Sequence, residues 1–239
     1  MGWISFNGIS TEGMPGVSVN TMPSHRKAGK RFTEYYVKGR DGALHVFEGY
    51  SNFQLTAVLV LINCNAEMRQ VINAWADGTG KLVTSDDPEL AYIASVSEEV
   101  RWTRQDGNNG FYDTAEITFD CYPFMVEAIE TVIDLEQPTS GQSWTYDVHN
   151  PGTAEALPII QITGIGEVTI TAGSKTITLN FGLQANVTAT LDCENGYAYS
   201  SNGAVSMSGE FPSFPVGDST MTFSSNCYVA KITPKWRWL

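Results

Sequence analysis

Residues 64–96 read CNAEMRQVINAWADGTGKLVTSDDPELAYIASV, and the parsing of this stretch decides the fold. Met68, Val71, Ile72 and Trp75 fall at i, i+3, i+4 and i+7, an apolar stripe at helical spacing, with Glu67, Arg69, Gln70 and Asn73 on the other side. The spacing predicts one amphipathic helix of about three turns that buries a single face. Asn65 is placed to cap its start, because an Asn side chain accepts from the free N–H groups of the first turn, and Gly78 can take the left-handed conformation that ends it. Beyond the helix, Lys81-Leu82-Val83-Thr84, then Ser85-Asp86-Asp87-Pro88, then the alternating Tyr92-Ile93-Ala94-Ser95-Val96 read as strand, tight turn, strand. The prediction is a hairpin laid beside a helix.

Adjacent Asp86 and Asp87 raise a catalytic reading, since paired carboxylates can divide acid and base roles. Neighbours in sequence seldom point the same way, and Ser-Asp-Asp-Pro is what a turn needs: Asp side chains bond the backbone two residues on, and Pro88 fixes φ. The turn is therefore the favoured role.

Around that stretch the pattern is β. A short first strand near Trp3-Ile4-x-Phe6 leads into a Gly- and Pro-rich loop. The run 32–37 (FTEYYV) and the return at Leu44-His45-Val46-Phe47 predict an antiparallel hairpin, turned over at Lys38-Gly39-Arg40-Asp41-Gly42 with Asp-Gly as its signal. One long strand is predicted over 52–63, and two more over 96–104 and 111–120, joined by Gln105-Asp106-Gly107-Asn108-Asn109-Gly110. That joint superficially resembles a calcium loop, but the twelve-residue pattern with its closing Glu is missing, so it is read as a hairpin turn. The sum is an antiparallel domain with one helix packed across a sheet. Turn and linker composition at 137–143 and 150–153 places a domain boundary near 135. From Leu157 onward strict, Thr-rich alternation punctuated by Gly and without a helical pattern predicts a β-sandwich over 136–239.

Four stretches of the first half occur in a characteristic order. They are Ile4-Ser5-Phe6-Asn7-Gly8-Ile9; Val37-Lys38-Gly39-Arg40-Asp41-Gly42; Trp75-x-x-Gly78-x-Gly80-x-Leu82-x-x-Ser85-Asp86-Asp87-Pro88-x-x-x-Tyr92; and Phe119-Asp120-Cys121-Tyr122-Pro123-Phe124. The second half adds Leu157-Pro158-x-Ile160, Asp192-Cys193-Glu194 before Tyr197-x-Tyr199, Gly209-Glu210-Phe211-Pro212 with Phe214-Pro215-x-Gly217, and Pro234-x-Trp236-Arg237-x-Leu239. In these motifs, over essentially its full length, the chain resembles the distal tail proteins of long-tailed bacteriophages, the hub proteins of the tail tip. The resemblance implies a tail-tube-like ring domain at 1–135 and a projecting sandwich, like galectins and carbohydrate-binding modules, at 136–239. It also implies a homo-hexamer in the virion that joins the major tail tube protein above to a tail-tip or tail-associated protein below, with a receptor-binding protein as a further partner. On this reading strands flanking the helix pair across subunits, the helix sits on the outer side of the ring, and double-stranded DNA passes through without specific binding.

Composition agrees with a folded structural protein. Of 239 residues, 42% are hydrophobic and 17% charged, which excludes a disordered chain. The longest apolar run, 57–62 (AVLVLI), is far short of the roughly 20 residues of a membrane span. The amino terminus has no secretory signal pattern, so folding in a cytoplasm is expected. Net charge is −12, with 10 basic and 17 acidic residues in 1–130 and 4 and 9 in 131–239. That balance lacks the basic footprint of a nucleic-acid-binding surface. It fits an acidic bore that repels phosphates, with turn acids such as Asp106 and Asp113 expected in its lining. The exception is the basic segment His25-Arg26-Lys27-x-x-Lys30-Arg31, read as a solvated loop edge ahead of a contact site.

Sites of chemistry are sparse. Cys64, Cys121, Cys193 and Cys227 lack C-x-x-C spacing and are expected as buried thiols. His25, His45 and His149 stand alone, so no metal or cofactor is predicted. No nucleophile, zinc or nucleotide motif is present. Glu98-Glu99 and Asp192/Glu194 are the remaining carboxylate pairs for a glycosidase, and the turn at Asn195-Gly196 explains the latter more cheaply. The Asn186-Val187-Thr188 acceptor has meaning only in a secretory context. For glycan or partner contact through the second domain, Tyr197, Tyr199, Phe211, Phe214, Trp236 and Trp238 are candidates by type, set against the commoner role of large aromatics in cores.

Overall fold

The computed structural model describes residues 2–107, 110–182, 187–200 and 203–239, with backbone only at 107, 110, 203 and 204. The predicted turn residues Asn108 and Asn109 and the acceptor Asn186 lie outside the described residues. Two compact units are present: Met1–Ala128 together with Leu239, and Ile129–Trp238. The break thus falls ahead of 135, because the strand Ile133–Glu136 pairs with the last strand of the second unit.

In the first unit the elements are β1 (Ile4–Phe6), β2 (Ile9–Ser10), β3 (Val17–Thr21), β4 (Lys30–Tyr36), β5 (Ala43–Tyr50), β6 (Phe53–Ile62), α1 (Ala66–Trp75), β7 (Gly78–Thr84), β8 (Asp87–Val96), β9 (Arg101–Gly107) and β10 (Gly110–Glu127). All the strands but β4 and β5 form one antiparallel sheet in the order β2-β1-β7-β8-β10-β6-β3, with β9 paired to β10. Alternation sets its inner face: Leu55, Ala57, Leu59 and Leu61 of β6 meet Ala115, Ile117, Phe119 and Cys121 of β10 in one core. Phe6 stands edge-on to both Phe119 (5.3 Å between centroids) and Trp75 (6.3 Å), an arrangement that adds about 0.5–1.5 kcal/mol per pair beyond burial.

Helix α1 lies on this core through Ile72 and Trp75, both buried, and Trp75 Nε1 donates to the Ile9 carbonyl at 2.9 Å. Asn65 Oδ1 accepts from Met68 N at 2.8 Å, as its capping position predicts, and Gly78 sits at φ +80°, two residues past the helix cap. Val71 departs from the predicted stripe: it is 52% exposed, because a helix this short buries a narrower face than its four apolar positions span.

The second unit carries β11 (Ile133–Glu136), β12 (Trp144–Asn150), β13 (Ile159–Gly164), β14 (Glu167–Ala172), β15 (Lys175–Asn180), β16 (Val187–Asp192), β17 (Tyr197–Ser200), β18 (Gly203–Ala204), β19 (Ser206–Gly209), β20 (Gly217–Phe223) and β21 (Cys227–Thr233). They make two sheets, β11-β21-β13-β16-β17-β18 and β12-β20-β14-β15-β19, that share one core. Period-2 alternation produces it: Ile160, Ile162, Ala189, Leu191, Ala230 and Ile232 from one sheet face Val168, Ile170, Ile177, Leu179, Met221 and Phe223 from the other. Trp144 stacks on Phe223 at 4.1 Å and donates from Nε1 to the Cys227 carbonyl, so its polar edge is satisfied inside the core. This is the mainly-β, one-helix architecture expected from the sequence.

Candidate functional site

Strands β4 and β5 form a two-stranded sheet of their own. Register follows the turn: Tyr36 pairs with Ala43, Tyr35 with Leu44, Thr33 with Val46 and Phe32 with Phe47. Gly39 and Gly42 both take left-handed φ, +83° and +74°, which is why the Val37, Gly39, Arg40, Asp41, Gly42 motif closes the loop. Alternation gives the ribbon two faces, one with Phe32, Phe47, Glu34, His45 and Tyr36, the other with Thr33, Tyr35, Leu44 and Val46. Neither is covered: Tyr36 is 78% exposed, Tyr35 54%, Phe47 50% and Val46 47%. Within the first face Phe32 packs edge-on to Phe47 and His45, and the Tyr36 hydroxyl donates to Glu34. The base is anchored through Tyr50, whose ring contacts Phe47 at 5.2 Å and Phe124 of β10 at 5.3 Å. An isolated two-stranded ribbon is marginal in water, and apolar side chains on both faces worsen that balance.

The other motif residues hold the sheet. Trp75, Leu82, Tyr92 and Cys121 are buried in the first core. Gly80 has no room for a Cβ, which would sit 1.4 Å from Asn7 Oδ1; Asn7 itself is at φ +51° and donates from its backbone to the Lys81 carbonyl. Ser85 and Asp86 are the two turn residues between β7 and β8, and Asp87 and Pro88 begin β8, so this acidic pair does the work of a turn. Pro123 falls in β10 beside the point where its register against β8 shifts, between Cys121 and Met125.

Asp113 overturns one expectation. Its side chain is 2% exposed, and its carboxylate accepts from Arg104 Nε at 3.0 Å and from Arg69 Nε at 2.8 Å. It cannot line a bore as a free acid. Burial alone would push its pKa up, but the hydrogen bonds from Arg104 and Arg69 hold it below the ordinary carboxylate range. Arg69 belongs to α1 and Arg104 to β9, so this carboxylate ties helix and strand to β10; Trp102 Nε1 adds a bond to Asn73 Oδ1 at 3.0 Å. Asp106 is exposed, as is Glu116 on the face of β10 away from the core, where Asp120 is half-buried.

In the second unit the six aromatic candidates divide. Phe214 and Trp236 are buried and pack against each other, and Phe211 and Trp238 lie partly buried against the same core, so these four are packing residues. Tyr197 and Tyr199 stay on the surface, 47% and 49% exposed, side by side on β17. The sequence carries no regular alternation around Phe211 and Phe214, so their inward direction could not be read from it.

The remaining candidates are accounted for locally. Asp192 accepts from Asn195 N at 3.0 Å and Nδ2 at 2.9 Å, a turn device, and Glu98 accepts from Gln54. His25 lies 3.3 Å from the Tyr92 hydroxyl, His45 3.8 Å from Glu34 and His149 2.6 Å from Asp218. Among the described residues no three metal-ligating groups converge. Cys121, Cys193 and Cys227 are buried free thiols, each pushed up to about 12 by burial, whereas Cys64 is only half-buried. Among the described residues no helix is long and apolar enough to cross a membrane.

No protein-family model matches the sequence, and no curated protein does. Solved structures do. The Dit protein (gp 19.1) of phage SPP1, described as a paradigm of the hub adsorption apparatus in phages infecting Gram-positive bacteria, superposes with a TM-score of 0.69 at 13% identity, covering 100% of both chains. A chain of the phage P2 baseplate in its activated conformation with Ca gives a TM-score of 0.49 at 12% identity, covering 100% of this chain and 98% of that one. The fold of the present chain is therefore that of a phage hub protein from end to end, as the sequence motifs led one to expect.

Proposed function

We propose that this chain is a structural protein of a phage virion, placed at the distal end of the tail, and that it works by closing on copies of itself into a hexameric ring. In this reading the ring joins the tail tube to the tip or baseplate, offers sites to a tail-associated and a receptor-binding protein, and lets DNA pass through its bore. The observation that carries the reading is the β4–β5 ribbon, whose two apolar faces are both bare. The full-length likeness to a hub protein supports it.

Charge favours a further copy as the occupant. Residues 25–50 hold six cations and three acids, net +3, which leaves −15 on the rest of a −12 chain. Two of those cations, Arg26 and Lys27, lie in the loop that leads into the ribbon; a cationic segment made of that loop and the ribbon, set on an acidic body, is complementary to its own kind, and such complementarity steers assembly and fixes register. The strands that flank the helix, β6 and β7, do not have the free edges expected of them, since each is paired on both sides within the chain; ring closure would cover instead the sheet edges that β2 and β3 leave open, removing the hazard of edge-to-edge aggregation.

Native mass spectrometry of the full chain tests this. Six-fold mass is expected, and its loss on Tyr35→Lys with Val46→Lys, while the monomer stays folded. A chain that stays monomeric at high concentration and in the presence of its tail tube protein would end the ring reading.

A further inference from the structure

We infer that the free edge of β12 takes up an extended strand of another protein, one that carries lysine or arginine at alternate positions, and so lengthens the β12-β20-β14-β15-β19 sheet. β12 ends that sheet: it pairs with β20 alone, from Trp144 opposite Phe223 to Asn150 opposite Gly217, without a shift of register. In an antiparallel ladder every second residue turns its N–H and C=O away from its partner, so β12 presents a row of open donors and acceptors. Among the described residues no backbone group outside the ladder answers them. Folded proteins usually blunt such edges by keeping them short, by bulging them, or by placing Lys or Pro on them. The other open strands of the second unit are short: β11 and β19 have four residues each and β18 has two. β12 has seven, WTYDVHN, with neither Lys nor Pro.

The edge is held at both ends. Trp144 stacks on Phe223 and its indole bonds the Cys227 carbonyl, while the buried Asn150 donates to the carbonyls of Ala154 and Phe214. A template fixed before the strand arrives loses little freedom on binding.

Charge selects the occupant. Alternation leaves Thr145, Asp147 and His149 exposed and turns Trp144, Tyr146 and Val148 toward the core. Opposite Asp147 and His149 stand Thr220 and Asp218 of β20, and the Asp218 side chain is 92% exposed. Neither strand holds a Lys or Arg, and residues 131–239 as a whole carry 4 basic and 9 acidic groups. A strand that alternates basic with aliphatic residues would set its cations beside Asp147 and its aliphatic side chains beside the half-buried Tyr146, where main-chain bonds supply affinity and the alternate side chains supply selection. A second copy of β12 is a poorer occupant: antiparallel pairing over all seven residues sets Asp147 opposite Asp147, and like charges directly opposite are destabilising. The inference rests on the second unit alone and does not depend on ring assembly.

The test is titration of the full chain with a capped heptapeptide that alternates lysine and valine, followed by calorimetry and amide hydrogen exchange. A Kd below about 1 mM is expected, with exchange slowed along β12 and binding weakened by added salt. Two N-methylated forms of the peptide, one methylated on its lysines and one on its valines, show whether a ladder is made. Only one of those two sets of amides faces the edge of a neighbouring strand, so one form should lose binding about tenfold or more while the other keeps it. Asp147→Lys, at an exposed position, should weaken the unmethylated peptide about tenfold, and unchanged thermal melting separates lost contact from lost fold. Silence toward the peptide, equal binding of the two methylated forms, or full binding by Asp147→Lys overturns the inference. So does a chain that dimerises through β12 in place of taking up the peptide.

Discussion

Two hairpins of the first unit, β4–β5 and β7–β8, are made from the same local grammar and end in opposite circumstances. Each alternates along its strands and turns on a short loop rich in Gly, Ser or Asp. The β7–β8 pair has β1 on one side and β10 on the other, and it buries Leu82, Tyr92 and Ala94 in the shared core. Among the described residues the β4–β5 pair has no neighbouring strand on either edge, and it leaves seven large apolar side chains of residues 32–47 in water: Phe32, Tyr35, Tyr36, Val37, Leu44, Val46 and Phe47. Local sequence makes a ribbon. Whether the ribbon is a wall of its own domain or an arm for something else depends on what stands beside it.

Substitutions can break or sharpen that contrast. Leu82→Ala, in the covered hairpin, should cost about 2–5 kcal/mol in denaturant unfolding, since a fully buried side chain is replaced by a cavity. A loss under about 1 kcal/mol would mean that β7–β8 is not the wall described. Next comes Asp113→Asn, expected to cost about 1–3 kcal/mol because two arginines lose their charged acceptor. This loss carries a pH signature. The folded pKa is depressed, so the contribution is complete above the unfolded value of about 3.9 and disappears as pH falls through the folded one. Wild type and variant should therefore converge in stability in acid and differ most at neutral pH.

The smaller effects are as informative. Asp86→Ala, at an exposed turn position, should lie within about 0.5 kcal/mol of wild type, and normal function in the variant would set aside the catalytic reading of the acidic pair. Smallest of all on the isolated chain should be Tyr35→Lys with Val46→Lys: exposed side chains of an uncovered ribbon contribute almost nothing to folding, so chemical unfolding should not distinguish the variant. A clear drop in monomer stability would show that the ribbon is covered within its own chain.

Much of this was legible from residues alone, and what was not has identifiable causes. The Asn65 cap, Gly78 and the strand phases are short-range facts, fixed by hydrogen bonds and side-chain alternation over a few positions. The Asp113 clamp is not, because Arg69 lies 44 residues away from it and only the pairing of β10 with β9 and its packing beneath α1 bring the charges together. Reading turn acids as free acids failed there for that reason. Among the aromatics, residue type could not distinguish Tyr197 and Tyr199 from Phe214 and Trp236, since direction depends on strand phase and only the tyrosines sit on a regularly alternating strand, at its outward positions. The bareness of β4–β5 was illegible for the deepest reason: alternation predicts that a face wants cover, and says nothing about whether the same chain supplies it.

Strand β10 has a consequence of its own. Its 18 residues run beside β6 along Tyr112–Cys121, while its other edge serves β9 first and β8 afterwards, so no part of the sheet can separate from the rest without tearing it. Its amide protons around Ile117 and Phe119 should be the slowest in the first unit to trade for deuterium, a built-in marker of whole-domain opening against which looser segments can be timed.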